Sequence, residues 1–138
     1  MTFRILGIGI DVADPRRIAD IRARHDIMRR VLAEDEGYLW PLSTETAADV
    51  WATKEAVAKS LGTGFWQKGI EWTNIHIVRD GSIGLSGAAA DLAGESHFHV
   101  QRMVYGDMKV VFAIRFVGRL PAALVDNLLD TARGNSGI

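Results

Sequence analysis

Strand-like and helix-like segments alternate along this chain in a way that predicts an α+β domain, with helices packed on an antiparallel sheet. Three observations carry the expectation. Phe98 to Val104 and Met108 to Val117 read as two β-rich strands, joined by hairpin chemistry at Tyr105-Gly-Asp107. Apolar residues Ala47, Val50, Trp51, Val57, Ala58 and Leu61 recur at helical spacing and mark a long helix. Near the N-terminus, Phe3 to Ile10 is an apolar, β-branched run broken by two glycines, as in a buried strand whose backbone is approached closely by another element.

The remaining elements follow in order. Asp11 closes the first strand. Asp14-Pro15 is a helix start, with Asp as N-cap and Pro at the first helical position, where its missing N–H is no loss. Ile18, Ile21, Met28 and Leu32 continue at roughly helical spacing, with a break at His25-Asp26. Glu34-Asp-Glu36-Gly37 ends that region and an aromatic segment, Tyr38 to Trp40, follows. Ser43 or Thr44 caps the long helix, which stops at Gly62. Alternation from Ile70 to Val78 predicts a strand, Asp80-Gly81 a turn, and alanine-rich Ser86 to Ala93 a short helix. The tail from Pro121 adds a helix before Gly134-Asn-Ser-Gly137 frays. No repeat, low-complexity segment or linker divides the 138 residues, so 1–138 is expected to be a single domain, with the segment from about 120 as an added helix.

A formal net charge of −1 argues against a general electrostatic grip on nucleic acid or an anionic membrane. Charge is nonetheless uneven. Six of the twelve arginines fall between Arg16 and Arg30, so the first helical region presents a basic face suited to an acidic protein partner. The absence of cysteine removes disulfides and thiolate chemistry. With no signal pattern and no apolar run approaching the ~20 residues that span a bilayer, a cytoplasmic protein is expected.

Glu55 and Lys59 are four residues apart and share one helix face. Taken alone they are a surface pair worth ~0.3–0.5 kcal/mol, and Asp11 alone caps a turn. Taken together they are two carboxylates and a lysine, and Mg²⁺ typically takes one or two carboxylates plus waters and substrate phosphate oxygens. Gly62-Thr63-Gly64 is either a plain helix C-cap or a turn at which a phosphate-bearing ligand approaches the backbone. His97-x-His99 places two imidazoles on one strand face without a third ligand nearby, and neither His25 nor His76 has a partner evident in the sequence. Core packing is the expected role of the tryptophans.

These motifs, in this order and spacing, resemble the holo-acyl-carrier-protein synthases, which are small phosphopantetheinyl transferases. The matching residues are Ile8-Gly-Ile-Asp11-Val with Arg17-Ile18, Arg30-Val-Leu-Ala-Glu34-Asp-Glu36, Lys54-Glu55-Ala, and Lys59-Ser-Leu-Gly-Thr-Gly64. Weaker likeness extends through Gly69 to Ile77, Asp80-Gly81 and Leu85-Ser-Gly87, to about Phe116. The resemblance implies transfer of 4′-phosphopantetheine from coenzyme A to a serine of an acyl carrier protein. It implies Mg²⁺ on Asp11 and Glu55, Lys59 on the phosphates or the transferring group, and coenzyme contacts at Lys59, Gly62, Thr63 and Gly64. Glu55 and Lys59 would be the catalytic pair. Arg16, Arg17, Arg22 and Arg24 would dock the carrier, and the chain would form a homotrimer.

Two departures weigh against full likeness. Where the family usually has a basic residue before the aromatic of the Lys-Glu-Ala helix, this chain has Val50. Where the family has Ser-x-Ser-His, it has Gln101-Arg-Met-Val104. Losing two charge-assisted phosphate contacts, each ~1.5–3 kcal/mol, would weaken coenzyme binding by orders of magnitude unless Arg102, Arg79 or Lys68 replaces them. The departures define an alternative: a diverged member that binds a carrier protein or a carrier-tethered intermediate and has lost or exchanged the transferase activity.

Overall fold

The structure, a computed structural model, describes residues 2–25, 27–64 and 69–124. Three long strands form an antiparallel sheet in the order β1-β5-β4, where β1 is Arg4–Ala13, β4 is His97–Tyr105 and β5 is Met108–Val117. The β4–β5 hairpin turns at Gly106-Asp107, with Gly106 at φ 59°. Helix α3, Thr44–Ser60, lies across one face of this sheet and is the axis of the core.

Why α3 can lie so close is written in β1. Gly7 and Gly9 face it, and a Cβ on either would overlap the backbone carbonyl oxygen of Ser60 or Ala56. The glycines therefore bring helix and strand backbones into contact, as their presence in a strand predicted. Ala13, Val111 and Ala113 continue this face and are buried against buried α3 residues including Ala52, Ala56 and Val57. The opposite face corrects the expectation of a wholly buried first strand. Ile8 is 56% exposed, with Ile10 and Val12 close behind, because β1 packs on one side only.

The smaller elements wrap α3. Asp14 caps α1, Pro15–Arg24, by accepting from Arg16 N, and Pro15 occupies the first turn as expected. The break at His25 is real: α1 ends there, and α2, Met28–Val31, is a single turn. A 3₁₀ turn follows at Glu34–Leu39. Ser43, not Thr44, caps α3 by accepting from Thr46 N.

Alternation from Ile70 to Val78 is only partly a strand. Trp72–Asn74 is a 3₁₀ turn, and the strand β2 is confined to Ile75–Ile77, paired with β3, Ile83–Leu85, in a separate two-stranded sheet. The cause is local: Asn74 Oδ1 accepts from Glu71 N at 2.9 Å and offers the backbone an alternative to the ladder. Helix α4, Gly87–Ala93, completes the described fold. Residues 122–124 are helical, and the rest of the tail for which a helix is expected lies outside the described residues.

Candidate active site

Where β1 passes under the last turns of α3, three of the residues singled out in the sequence come together. Lys59 Nζ donates to Asp11 Oδ1 at 2.9 Å and to the Ile10 carbonyl at 3.0 Å. Lys59 thus pairs across to the strand rather than with Glu55 along its own helix, which sets aside the simple surface-pair reading. Glu55 is half-buried beside them. Its carboxyl is held above the usual carboxylate range by burial first and the charge of Asp11 second, with Lys59 opposing. No hydrogen bond from a described residue reaches it.

Two carboxylates that repel each other, one of them receiving no hydrogen bond from a described residue, form a site that suits a small cation. Their oxygen-only chemistry fits a hard ion such as Mg²⁺, which keeps much of its shell as water and substrate oxygen. Among the described residues no group of three His, Cys, Asp or Glu side chains could hold a metal. Asp11 and Glu55 fit the two-carboxylate type of site, and Lys59 adds a positive charge.

After α3, Gly62 and Gly64 take φ of 85° and 67°, and Gly64 N closes back on the Ala58 carbonyl at 3.2 Å. This is helix capping of the left-handed kind. Thr63 donates to the Gly64 carbonyl, and no described residue lies within 4 Å of where a Cβ on Gly62 or Gly64 would be. Trp51 lies on the stripe of Glu55 and Lys59, one turn earlier. Its ring meets that of Trp72, 4.5 Å between centroids, on the wall of a mainly apolar groove of about 570 Å³ that Arg29 and Arg30 also line. These tryptophans line a groove as well as packing against the core.

The four arginines expected to dock a partner divide. Arg17 and Arg24 are exposed, Arg16 is exposed but pairs with Asp14, and half-buried Arg22 donates to the Leu42 carbonyl at 2.9 Å. Arg22 is therefore a strut between α1 and the α3 entry. Of the residues marking departures, Val50 is buried in the core and Val104 is exposed at 56%. Arg102 points to the α3 side of the sheet, donating to Thr53 Oγ1 at 3.1 Å and the Gly81 carbonyl at 3.3 Å. Asp11 and Arg102 both pair with Val111, so they share one row across the sheet with a strand between them. Arg79 stacks on Tyr38, and Lys68 lies outside the described residues. His97 and His99 do share a face of β4, opposite Phe116 and Ile114.

One constellation was missed in the sequence. Lys54, next to Glu55, is fully buried and ion-paired to Glu36, with further bonds to the Val31 and Trp72 carbonyls at 2.7 and 3.1 Å. Glu36 in turn accepts from Ala33 N at 2.8 Å and Ile77 N at 2.9 Å. Burial pulls the Lys54 pKa down while Glu36 resists. A lysine among the apolar positions of a core helix was the available signal.

Fold and site together define a class. Residues 7–114 match the 4′-phosphopantetheinyl transferase superfamily, and the chain belongs to that family. Its similarity is to the holo-acyl-carrier-protein synthases within it. The synthase of Serratia proteamaculans is 35% identical over 66% of this chain and 79% of its own length. That of Clostridium kluyveri is 32% identical over 84% of this chain and 93% of its own. Among solved structures, a Bacillus anthracis holo-acyl-carrier-protein synthase in complex with coenzyme A (3′,5′-ADP) superposes with a TM-score of 0.66 at 25% identity, covering 83% of this chain and 98% of that one.

Proposed function

We propose that this chain transfers 4′-phosphopantetheine from coenzyme A to a serine of an acyl carrier protein, with Mg²⁺ held by Asp11 and Glu55. The observation that carries this reading is the meeting of Asp11, Glu55 and Lys59 at one crossing of strand and helix. Curated relatives named for this reaction and a relative crystallised with coenzyme A support it.

Bound there, the cation would neutralise charge on the coenzyme pyrophosphate. The protein's own groups do the rest. Lys59, on a flexible stem and already at the site, binds the phosphate oxygens as a point charge. The Gly62-Thr63-Gly64 turn lets the coenzyme lie against the end of α3. The carrier serine attacks the β-phosphorus, the bond to the bridging oxygen breaks, and 3′,5′-ADP leaves. Glu55 accepts the serine proton. Exposed Arg17 and Arg24 attract the acidic carrier.

A homotrimer belongs to this reading. The exposed face of the sheet, carrying Ile8, Ile10 and Val12, is the kind of contiguous apolar surface that a monomer seldom leaves in water, and it supports self-association. Among the described residues no helix is long and apolar enough to cross a membrane.

The test is modification of an apo-carrier protein by the purified chain with coenzyme A and Mg²⁺, read as intact mass, beside calorimetric titration of coenzyme A. Addition of one phosphopantetheine, lost in Asp11→Ala and Glu55→Ala, is expected. No mass gain on any carrier that a known synthase modifies in the same tube, together with absent coenzyme binding, would overturn the reading.

A further inference from the structure

His76, on β2, stands between an acid and a hydroxyl. Its Nδ1 is 2.7 Å from Asp35 Oδ1, on the 3₁₀ turn, and its Nε2 is 2.8 Å from Ser86 Oγ. None of the three is shared with the Asp11, Glu55 and Lys59 site. Ser86 occupies the N-cap position of α4, yet its side chain makes no capping bond. A serine there ordinarily turns its oxygen to a free N–H of the first turn. This hydroxyl is committed to the imidazole instead.

The roles of the two ring nitrogens follow from their neighbours. The Asp35 carboxyl, kept below the usual range chiefly by its bond to His76, is ionised at neutral pH and can only accept, so Nδ1 carries the proton. Nε2 then presents its lone pair to Ser86, whose hydroxyl donates to it. That is the relation of base to nucleophile in a Ser-His-Asp triad, which is recognised by geometry and not by position in the chain. An amide donor is also at hand. Asn74 Nδ2 lies 2.9 Å from where a Cβ on Gly87 would be, and its carbonyl oxygen is already engaged by Glu71 N. Gly87, at φ 55°, has no Cβ to displace that amide directly after the serine.

We propose that Ser86 is a nucleophile that takes acyl groups from activated esters or thioesters, with His76 as its base, Asp35 as the residue that positions the base, and Asn74 as the amide donor to the carbonyl oxygen. Ser86 Oγ adds to the carbonyl carbon as its proton passes to His76 Nε2. The tetrahedral adduct then expels the thiolate or aryloxide, which takes the proton from His76, and the acyl group remains on Ser86. Water, deprotonated by the same nitrogen, releases the carboxylic acid and restores the serine. Asp35 is 67% exposed, so solvent screens its support of the imidazolium and the reaction is slow.

The experiment is acylation of the intact protein by p-nitrophenyl acetate, and in parallel by a small acetyl thioester, followed by intact mass and peptide mapping. One acetyl group on Ser86 is expected, forming on the order of 10²-fold faster than label at any other hydroxyl. Adduct from both reagents assigns general acyl transfer; adduct from the aryl ester alone restricts the site to oxygen esters. Ser86→Ala should lose the adduct while keeping the circular dichroism and carrier modification of the parent chain. Asp35→Asn should slow acylation about tenfold, with Asp35→Glu recovering part of the rate. Label confined to lysines, or an Ser86→Ala rate equal to the parent's, would overturn the proposal.

Discussion

Neighbouring residues on α3, Lys54 and Glu55, belong to two charged clusters of opposite design. Lys54 is fully buried and satisfied: three acceptors surround its ammonium, and its partner Glu36 holds two backbone N–H groups besides. Glu55 is half-buried and receives no hydrogen bond from a described residue, and its pKa is pushed upward by burial and by Asp11. The first cluster ties α2, the 3₁₀ turn and β2 to α3 and has no valence left for a ligand. The second has an acceptor to spare and a lysine within reach. Identical chemistry thus separates into framework and site according to whether its hydrogen bonds are complete.

Breaking the framework cluster should have the largest effect. Lys54→Met leaves Glu36 buried without its cation, and a loss of about 3–5 kcal/mol in urea unfolding is expected. Removing Glu36 as well should recover part of it, since the uncompensated charge goes too. A single-mutant loss below ~1 kcal/mol would erase the distinction drawn between the two clusters.

Changes in the site cluster should spare the fold and remove activity. Glu55→Gln is expected to lower kcat/KM for carrier modification by about 10²–10³-fold. Lys59→Ala, losing one charge-assisted phosphate contact of ~1.5–3 kcal/mol, should cost about 10–100-fold with little change in urea midpoint. Charge reversal at Arg17 and Arg24 together should raise KM for the carrier about tenfold and flatten its salt dependence, leaving coenzyme affinity alone. Steady-state kinetics at two ionic strengths would show otherwise if kcat fell instead.

The smallest effect has an informative sign. Because Glu55 has a raised pKa in the folded chain, the native state holds that proton more tightly than the unfolded one. Its contribution is complete below the ordinary carboxylate value and is lost as pH rises through the folded pKa. In metal-free protein at neutral pH, Glu55→Gln should therefore raise the thermal midpoint slightly, and the rise should vanish in acid. A lower midpoint at pH 7 would show that the carboxylate is satisfied after all.

Much of the site was legible because its spacing is local. Glu55, Lys59 and Gly62-Thr63-Gly64 lie within three turns of one helix, and Asp11 ends a run whose glycines already indicated close packing. Contacts across long separations were not legible. Glu36 and Lys54 are 18 residues apart, Asp35 and His76 41, and no periodicity in either segment signals the pairing. Fold was readable to the same limit. Strand alternation placed β4 and β5 within a residue, whereas the Glu71-to-Asn74 bond accompanies a 3₁₀ turn at Trp72–Asn74 inside the expected Ile70–Val78 strand. The exposed side of β1 was misread since a two-glycine strand shows its contact face by what it lacks, and Ile8, Ile10 and Val12 look the same in sequence whether covered or bare.

Gly7 and Gly9 make the geometry of the site intolerant of gradual change. The separation of Asp11 from Glu55 is the separation of two backbones that touch, with no side chain between them to be lengthened, trimmed or repacked. Any substitution at either glycine has to lift the whole of α3 off its strand, moving one carboxylate from the other in a single step. Departures from the family pattern at Val50, Arg102 and Val104 leave this crossing untouched, but the spacing of the charged pair can only be kept or lost.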